Sequence, residues 1–253
     1  MKLCKTLLGV AGVVFAQSAM ATDPAPDRDP RSHAPASFPD AMDLDMLFGA
    51  VLFDRLEASF ADAADTYTWD AQAWYGGDFN KIWLKTEGDG AQGEPVEEAD
   101  IELLYSRNVA AFWDVQAGIR YDLRPQPEQA HLAVGLQGLA PYMFELNTTA
   151  YLREDGLLSA TLEAEYELLF TQRLILQPRV ELSVQGEDED SGIGAGLTTS
   201  QAGIRLRYEL RREFAPYVGF SWTQKYGDTA DAARAAGEAS SINAVVVGIR
   251  AWF

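Results

Sequence analysis

Cysteine is almost missing from this chain. Its one thiol, Cys4, lies in the opening apolar stretch. A disulfide framework, a thiolate metal site and a cysteine nucleophile are therefore excluded from everything that follows it. Histidine is nearly as scarce, with only His33 and His131, and no serine stands in a nucleophile-elbow context. Nucleophilic and acid–base catalysis find little footing. Long hydrophobic runs are missing too: beyond the N-terminus no window reaches about eighteen uncharged apolar residues, so a helical membrane span is not expected. Positive charge is in short supply, 20 Lys and Arg against 38 Asp and Glu, for a formal net charge of −18. That balance argues against nucleic acid and anionic membrane surfaces as partners and makes cations the natural counterpart.

What is present begins with "MKLCKTLLGVAGVVFAQSAMATDP". Two lysines, a short apolar stretch and a small-residue Ala19-Met20-Ala21 site give the layout of a secretory signal peptide over residues 1–21. Its removal takes Lys2 and Lys5 away and leaves −20. Residues 22–46 carry prolines at 24, 26, 30, 35 and 39. No helix or central strand tolerates that density, so the reading is an extended, disordered periplasmic arm. The remaining span, 47–253, is expected to be one folded domain.

Within that span, "AFWDVQAGIRYD" (Ala111 to Asp122) sets the pattern. Trp113, Val115, Ala117, Ile119 and Tyr121 alternate with Asp114, Gln116, Arg120 and Asp122, a period of two sustained about twice as long as an ordinary globular strand needs. The same alternation recurs to the last residue, as in Leu158 to Phe170 against Thr161, Glu163, Glu165 and Glu167, and Val245 to Phe253. About twelve such segments are expected. Between them short links, such as Gly76-Gly77, Arg107 to Ala110 and Ala140-Pro141, alternate with longer ones, such as Gly88 to Val96, Gly186 to Gly196 and Tyr226 to Ser240. An even strand count with short and long connections alternating predicts an all-β chain: a transmembrane, antiparallel, up-and-down β-barrel in the bacterial outer membrane. The apolar files face lipid, with aromatics at the two interfaces, and the polar files line the lumen.

The inward files carry Asp100, Glu102, Asp114, Arg120, Asp122, Glu145, Glu163, Glu165, Glu167, Arg179, Glu181, Arg205, Arg207 and Glu209. Two roles are open to them. They fill a narrow barrel as mutually compensating charges, or they line a cation path whose first candidates are Glu163, Glu165 and Glu167, near Arg179 and Arg205. A barrel hydrolase would need its histidine and serine on the lipid face, whereas parity with Leu132 turns His131 inward.

At "WDAQAWYGGDFNKIWLKTEG" (Trp69 to Gly88), "LYSRNVAAFWDVQAGIRYD" (Leu104 to Asp122), "GLAPYMFEL" (Gly138 to Leu146), "LEAEYELLFTQRLILQPRVEL" (Leu162 to Leu182) and "LRYELRREFAPYVGFSW" (Leu206 to Trp222) the sequence resembles the copper resistance protein B family. The resemblance covers nearly all of 47–253. It implies a non-enzymatic outer-membrane barrel, embedded in outer-membrane lipid, that binds or exports excess periplasmic copper. Periplasmic copper-handling proteins, a multicopper oxidase or a copper chaperone, are the implied partners, and copper is ligand or cargo. A general small-solute or cation channel is the competing function, a barrel hydrolase the more distant one. That family's arm is rich in methionine and histidine. Here it offers His33, Met42 and Met46, a soft set suited to Cu(I). Met143 and Glu145 in the barrel and His131 near its outer rim are the next candidate ligands.

Overall fold

A residue in the middle of a bilayer has no water to satisfy its backbone, so twelve half-apolar strands in one chain must close on themselves. They do so in the computed structural model of the protein, which describes residues 47–61, 64–186 and 195–253. The strands are β1 (Phe48–Ala61), β2 (Thr66–Gly76), β3 (Asn80–Ala91), β4 (Glu98–Ala110), β5 (Trp113–Arg124), β6 (Gln129–Ala140), β7 (Phe144–Arg153), β8 (Leu158–Glu165), β9 (Leu174–Gln185), β10 (Gly196–Tyr208), β11 (Phe214–Lys225) and β12 (Ser241–Trp252). Each pairs antiparallel with the next. β12 returns to β1, with Phe60 opposite Val245 and Leu52 opposite Trp252. The result is a closed barrel of twelve antiparallel strands. Most run 11 to 14 residues, enough for a tilted strand to cross the hydrocarbon core.

The expected faces are observed. Leu132, Val134, Val245, Val247, Ile204 and Val218 are exposed on the outer surface, while Arg55, Glu57, Glu102, Gln116, Arg179, Arg205 and Arg207 are buried within. Short turns lie at one end, among them 77–79, 111–112 and 209–213. The turn expected at Arg107 to Ala110 is displaced, because β4 continues to Ala110 and only Ala111 and Phe112 turn. The short link expected at Ala140-Pro141 extends into a 3₁₀ turn, Pro141–Met143, in which Tyr142 has φ of 69°. The longest described connections, 92–97 and 226–240, lie at the other end. The longest fully described one holds a helix, α1 (Gly227–Ala235), which no period in the sequence announced.

Beyond smaller register shifts between β4 and β5 and between β9 and β10, two strands depart markedly from regularity. In β1 the register with β2 slips between Phe53 and Arg55, and that with β12 slips between Phe53 and Leu56. Asp54 is the extra residue of a bulge. The slip gives consecutive charged residues, Asp54 and Arg55, access to the lumen. β8, expected to run unbroken to Phe170, is interrupted at Tyr166 and Glu167 and resumes only as Leu168–Leu169. Opposite the gap stands Pro178. Its carbonyl accepts the Tyr166 amide at 3.1 Å, but proline has no N–H to return, so one rung of the ladder is lost.

Candidate functional site: the charged lumen

The lumen is crossed by ion pairs. Arg205 on β10 donates two hydrogen bonds to Glu57 on β1, 2.7 and 3.1 Å, with β11 and β12 between the two strands. Both side chains are less than a tenth exposed. Arg55, delivered by the bulge, binds Asp70 at 3.3 Å and Glu87. Arg250 on β12 reaches Asp54 at 2.8 Å. Asp54, Arg55, Glu57, Asp70, Glu87 and Arg250 are absent from the inward set expected from the sequence, and in β1 the bulge also breaks the alternation that a fixed period of two assumes. Two adjacent charges in an otherwise apolar file were the available signal.

The three expected acids do face inward, but they divide. Glu163 and Glu165 share Arg179 Nε, at 2.7 and 3.1 Å, and Glu181 takes its terminal Nη2 at 3.0 Å. Glu167 turns to Arg207 at 2.7 Å and to Arg250 at 3.2 Å. Arg207 also donates to Gln177 at 2.8 Å, and Gln177 to Glu165 at 2.7 Å. Arg205, expected beside these acids, is held by Glu57 instead. Such arginine forks engage polar groups from two strands at once, which is how guanidinium chemistry braces a polar interior.

A second group occupies the end with the longer connections. Arg120 on β5 pairs with Asp122 at 2.6 Å and Asp100 at 3.1 Å, and lies 4.0 Å from Glu102. Tyr151 on β7 donates its hydroxyl to Glu102 at 2.8 Å, another chord across several strands. The guanidinium of Arg120 lies 5.0 Å from the centre of the Tyr151 ring. His131 faces inward as parity requires, with Nδ1 3.6 Å from Asp122.

Not all of the lumen is polar. Leu104, Ala133 and Tyr151 form a buried cluster with Trp83 packed against it. Trp83 and Trp74 are neighbours at 6.3 Å, and Lys85 and Lys81 lie over their rings. These side chains thicken the wall where an open pore would leave water.

The candidate copper ligands do not converge. His33, Met42 and Met46 fall outside the described residues. Met143 lies exposed in the β6–β7 turn and Glu145 is the second residue of β7, opposite Leu139. From His131 to Leu139 β6 runs roughly 27 Å, so His131 belongs to the opposite end. Among the described residues no three or more His, Cys, Asp or Glu side chains are grouped to hold a metal ion.

This architecture and its sequence have relatives. Over 78% of the chain and 98% of the other, the fold is similar to the structure of the NanC porin, with a TM-score of 0.53 and 10% identity. At that identity the likeness concerns the barrel alone. In sequence, the chain is 45% identical over 204 residues to copper resistance protein B of Escherichia coli, covering 80% of this chain and 69% of that one. It is 43% identical over 201 residues to the copper resistance protein B homolog of Pseudomonas syringae pv. tomato, covering 79% and 68%. Residues 47–253 match the family described as copper resistance protein B precursor. The blocks that close the barrel and charge its lumen are thus those of an outer-membrane family, and the chain belongs to the copper resistance protein B family.

Proposed function

We propose that this barrel confers copper tolerance by binding copper, or moving it across the outer membrane, without enzymatic activity and without serving as a general solute pore. Family membership supports the copper role. The observation that carries the rest is the set of chords across the lumen, Glu57–Arg205, Glu167–Arg207 and Glu102–Tyr151. They leave a charged but braced interior, which suits a small cation that exchanges ligands and not a hydrated organic solute. The periplasmic copper-handling proteins expected from the resemblance would meet the barrel at its short-turn end, and His33, Met42 and Met46 remain the arm's ligand candidates for Cu(I).

Cells lacking the gene are compared with the same cells carrying it on a plasmid, across a copper series. The complemented strain is expected to survive higher copper. Equal survival of the two strains would overturn the reading. Rapid swelling of proteoliposomes in neutral sugars would favour the general channel instead.

A further inference from the structure

One imidazole in the lumen has a nitrogen with no partner. The His131 side chain is 10% exposed, and its Nδ1 is buried without a hydrogen bond. The nearest acceptor, Asp122 Oδ2, lies at 3.6 Å, beyond a hydrogen bond. Asp122 is held from its other side, where Oδ1 accepts from Arg120 Nε at 2.6 Å, so Oδ2 is turned to the imidazole and left open. On Cu(II), whose preferred geometry is tetragonal, two neighbouring ligands each about 2.1 Å from the ion stand roughly 3.0 Å apart, so the imidazole and Oδ2 close by about 0.6 Å to share it.

The surrounding charge suits a cation. Asp100, Glu102 and Asp122 share the single guanidinium of Arg120, so carboxyl groups outnumber the cation they meet. Arg153, across the register from His131, is engaged by Asp155 and Gln129. The Tyr151 ring meets His131 edge-on at 6.4 Å, and its hydroxyl is committed to Glu102. The donor set is imidazole nitrogen and carboxylate oxygen with no sulfur, which favours Cu(II) over Cu(I).

We propose that His131 and Asp122 form a Cu(II) site at the outer end of the lumen, completed by water. The proposal rests on the copper-tolerance reading above and gives that reading a place in the barrel. Two protein ligands hold an ion loosely, as a cargo site must if the ion is to leave again.

The test uses the full mature chain in detergent, with histidine labelled by nitrogen-15 and copper sulfate as the probe. Electron paramagnetic resonance reads imidazole coordination, and competitive titration reads affinity. The parent is expected to show Cu(II) coupled to a histidine nitrogen. His131→Gln should lose that coupling and bind at least about tenfold more weakly, and Asp122→Asn should keep the coupling yet weaken by about tenfold. His33→Asn should change neither. Retention of parent coupling and affinity in His131→Gln, or absence of coupling in the parent, would overturn the site. If His131→Gln fails to fold, parent affinity in Asp122→Asn overturns it equally. Copper survival separates the two levels: a parent that protects cells while His131→Gln binds copper unchanged sinks the site alone, whereas a parent that gives no protection sinks the tolerance reading.

Discussion

At the scale of single residues, the barrel's interior is a set of buried charges with named partners. Glu57 and Arg205 are the most enclosed pair, and a buried guanidinium left without its carboxylate is costly. Glu57→Gln is expected to destabilise the barrel by about 3–5 kcal/mol in urea unfolding from lipid, whereas Glu57→Leu combined with Arg205→Met should recover most of the loss. Equal unfolding midpoints for parent and Glu57→Gln would show that the chord bears no load. Outside the membrane, Asp155 in the β7–β8 connection makes a different case. The Arg153 guanidinium and the Leu157 amide hold its carboxyl down to about 2. A carboxyl depressed below its unfolded value, roughly 3.9, contributes stability above that value and loses it as pH falls through about 2. The connection should therefore keep its Arg153 contact down to pH 3, and a carboxyl resonance of Asp155 titrating near 4 would contradict this. Most of the lumen's charges could be placed from their parity in the sequence. Their pairing could not, because which strands meet across a lumen depends on barrel curvature, and Arg205 finds Glu57 148 residues away.

At the scale of elements, the alternation was legible because each strand has one face in lipid and the other in a charged interior, so a single period separates two solvents. Val247 of β12 is 48% exposed on the lipid side. Val247→Arg should cost about 2–4 kcal/mol at mid-membrane, visible as loss of the heat-modifiable band and of outer-membrane localisation. A fully assembled Val247→Arg barrel would mean that the faces are assigned backwards. The inner face is equally tight where β5 meets β4. A Cβ built at Gly118 would lie 2.0 Å from the Leu103 carbonyl oxygen and 2.8 Å from Leu104 Cα, so Gly118→Ala should push these strands apart and slow assembly in a pulse-chase, while Ala117→Gly, on the lipid face beside it, should not. Irregular elements were less legible. The β1 bulge has no compositional signal beyond Asp54 beside Arg55, and the break in β8 is caused by Pro178 on the neighbouring strand. A proline acts on its own strand in sequence but on its partner's ladder in space. Helix α1 has weak apolar periodicity, with only Ala230 and Ala233 buried, so nothing in its sequence distinguished it from a loop.

At the scale of the molecule, the charge network decides what a closed barrel can pass. Twelve strands enclose room for a channel, yet here Arg205 joins β10 to β1, Arg207 and Arg250 converge on Glu167 of the β8 break, and Tyr151 joins β7 to Glu102 of β4. Trp74, Trp83 and Leu104 fill part of what remains. In planar bilayers the parent is expected to carry far less current than a water-filled porin, and that residual current should prefer cations, since the lumen's acids outnumber its bases. Replacing Glu163, Glu165 and Glu167 together by Gln leaves Arg179 with Glu181 alone and deprives Arg207 of its closest carboxylate. The ring of fixed charge then changes sign locally, and a selectivity filter follows the sign of its wall. Reversal potentials under a salt gradient should shift toward anions in the folded fraction of the triple variant, whose yield falls because buried Arg207 loses its closest carboxylate, while Arg250 retains Asp54 and Arg205 retains Glu57. A large parent current with unchanged cation preference in the triple variant would mean that ions bypass these side chains, and that the braces seen across the lumen are not what limits passage.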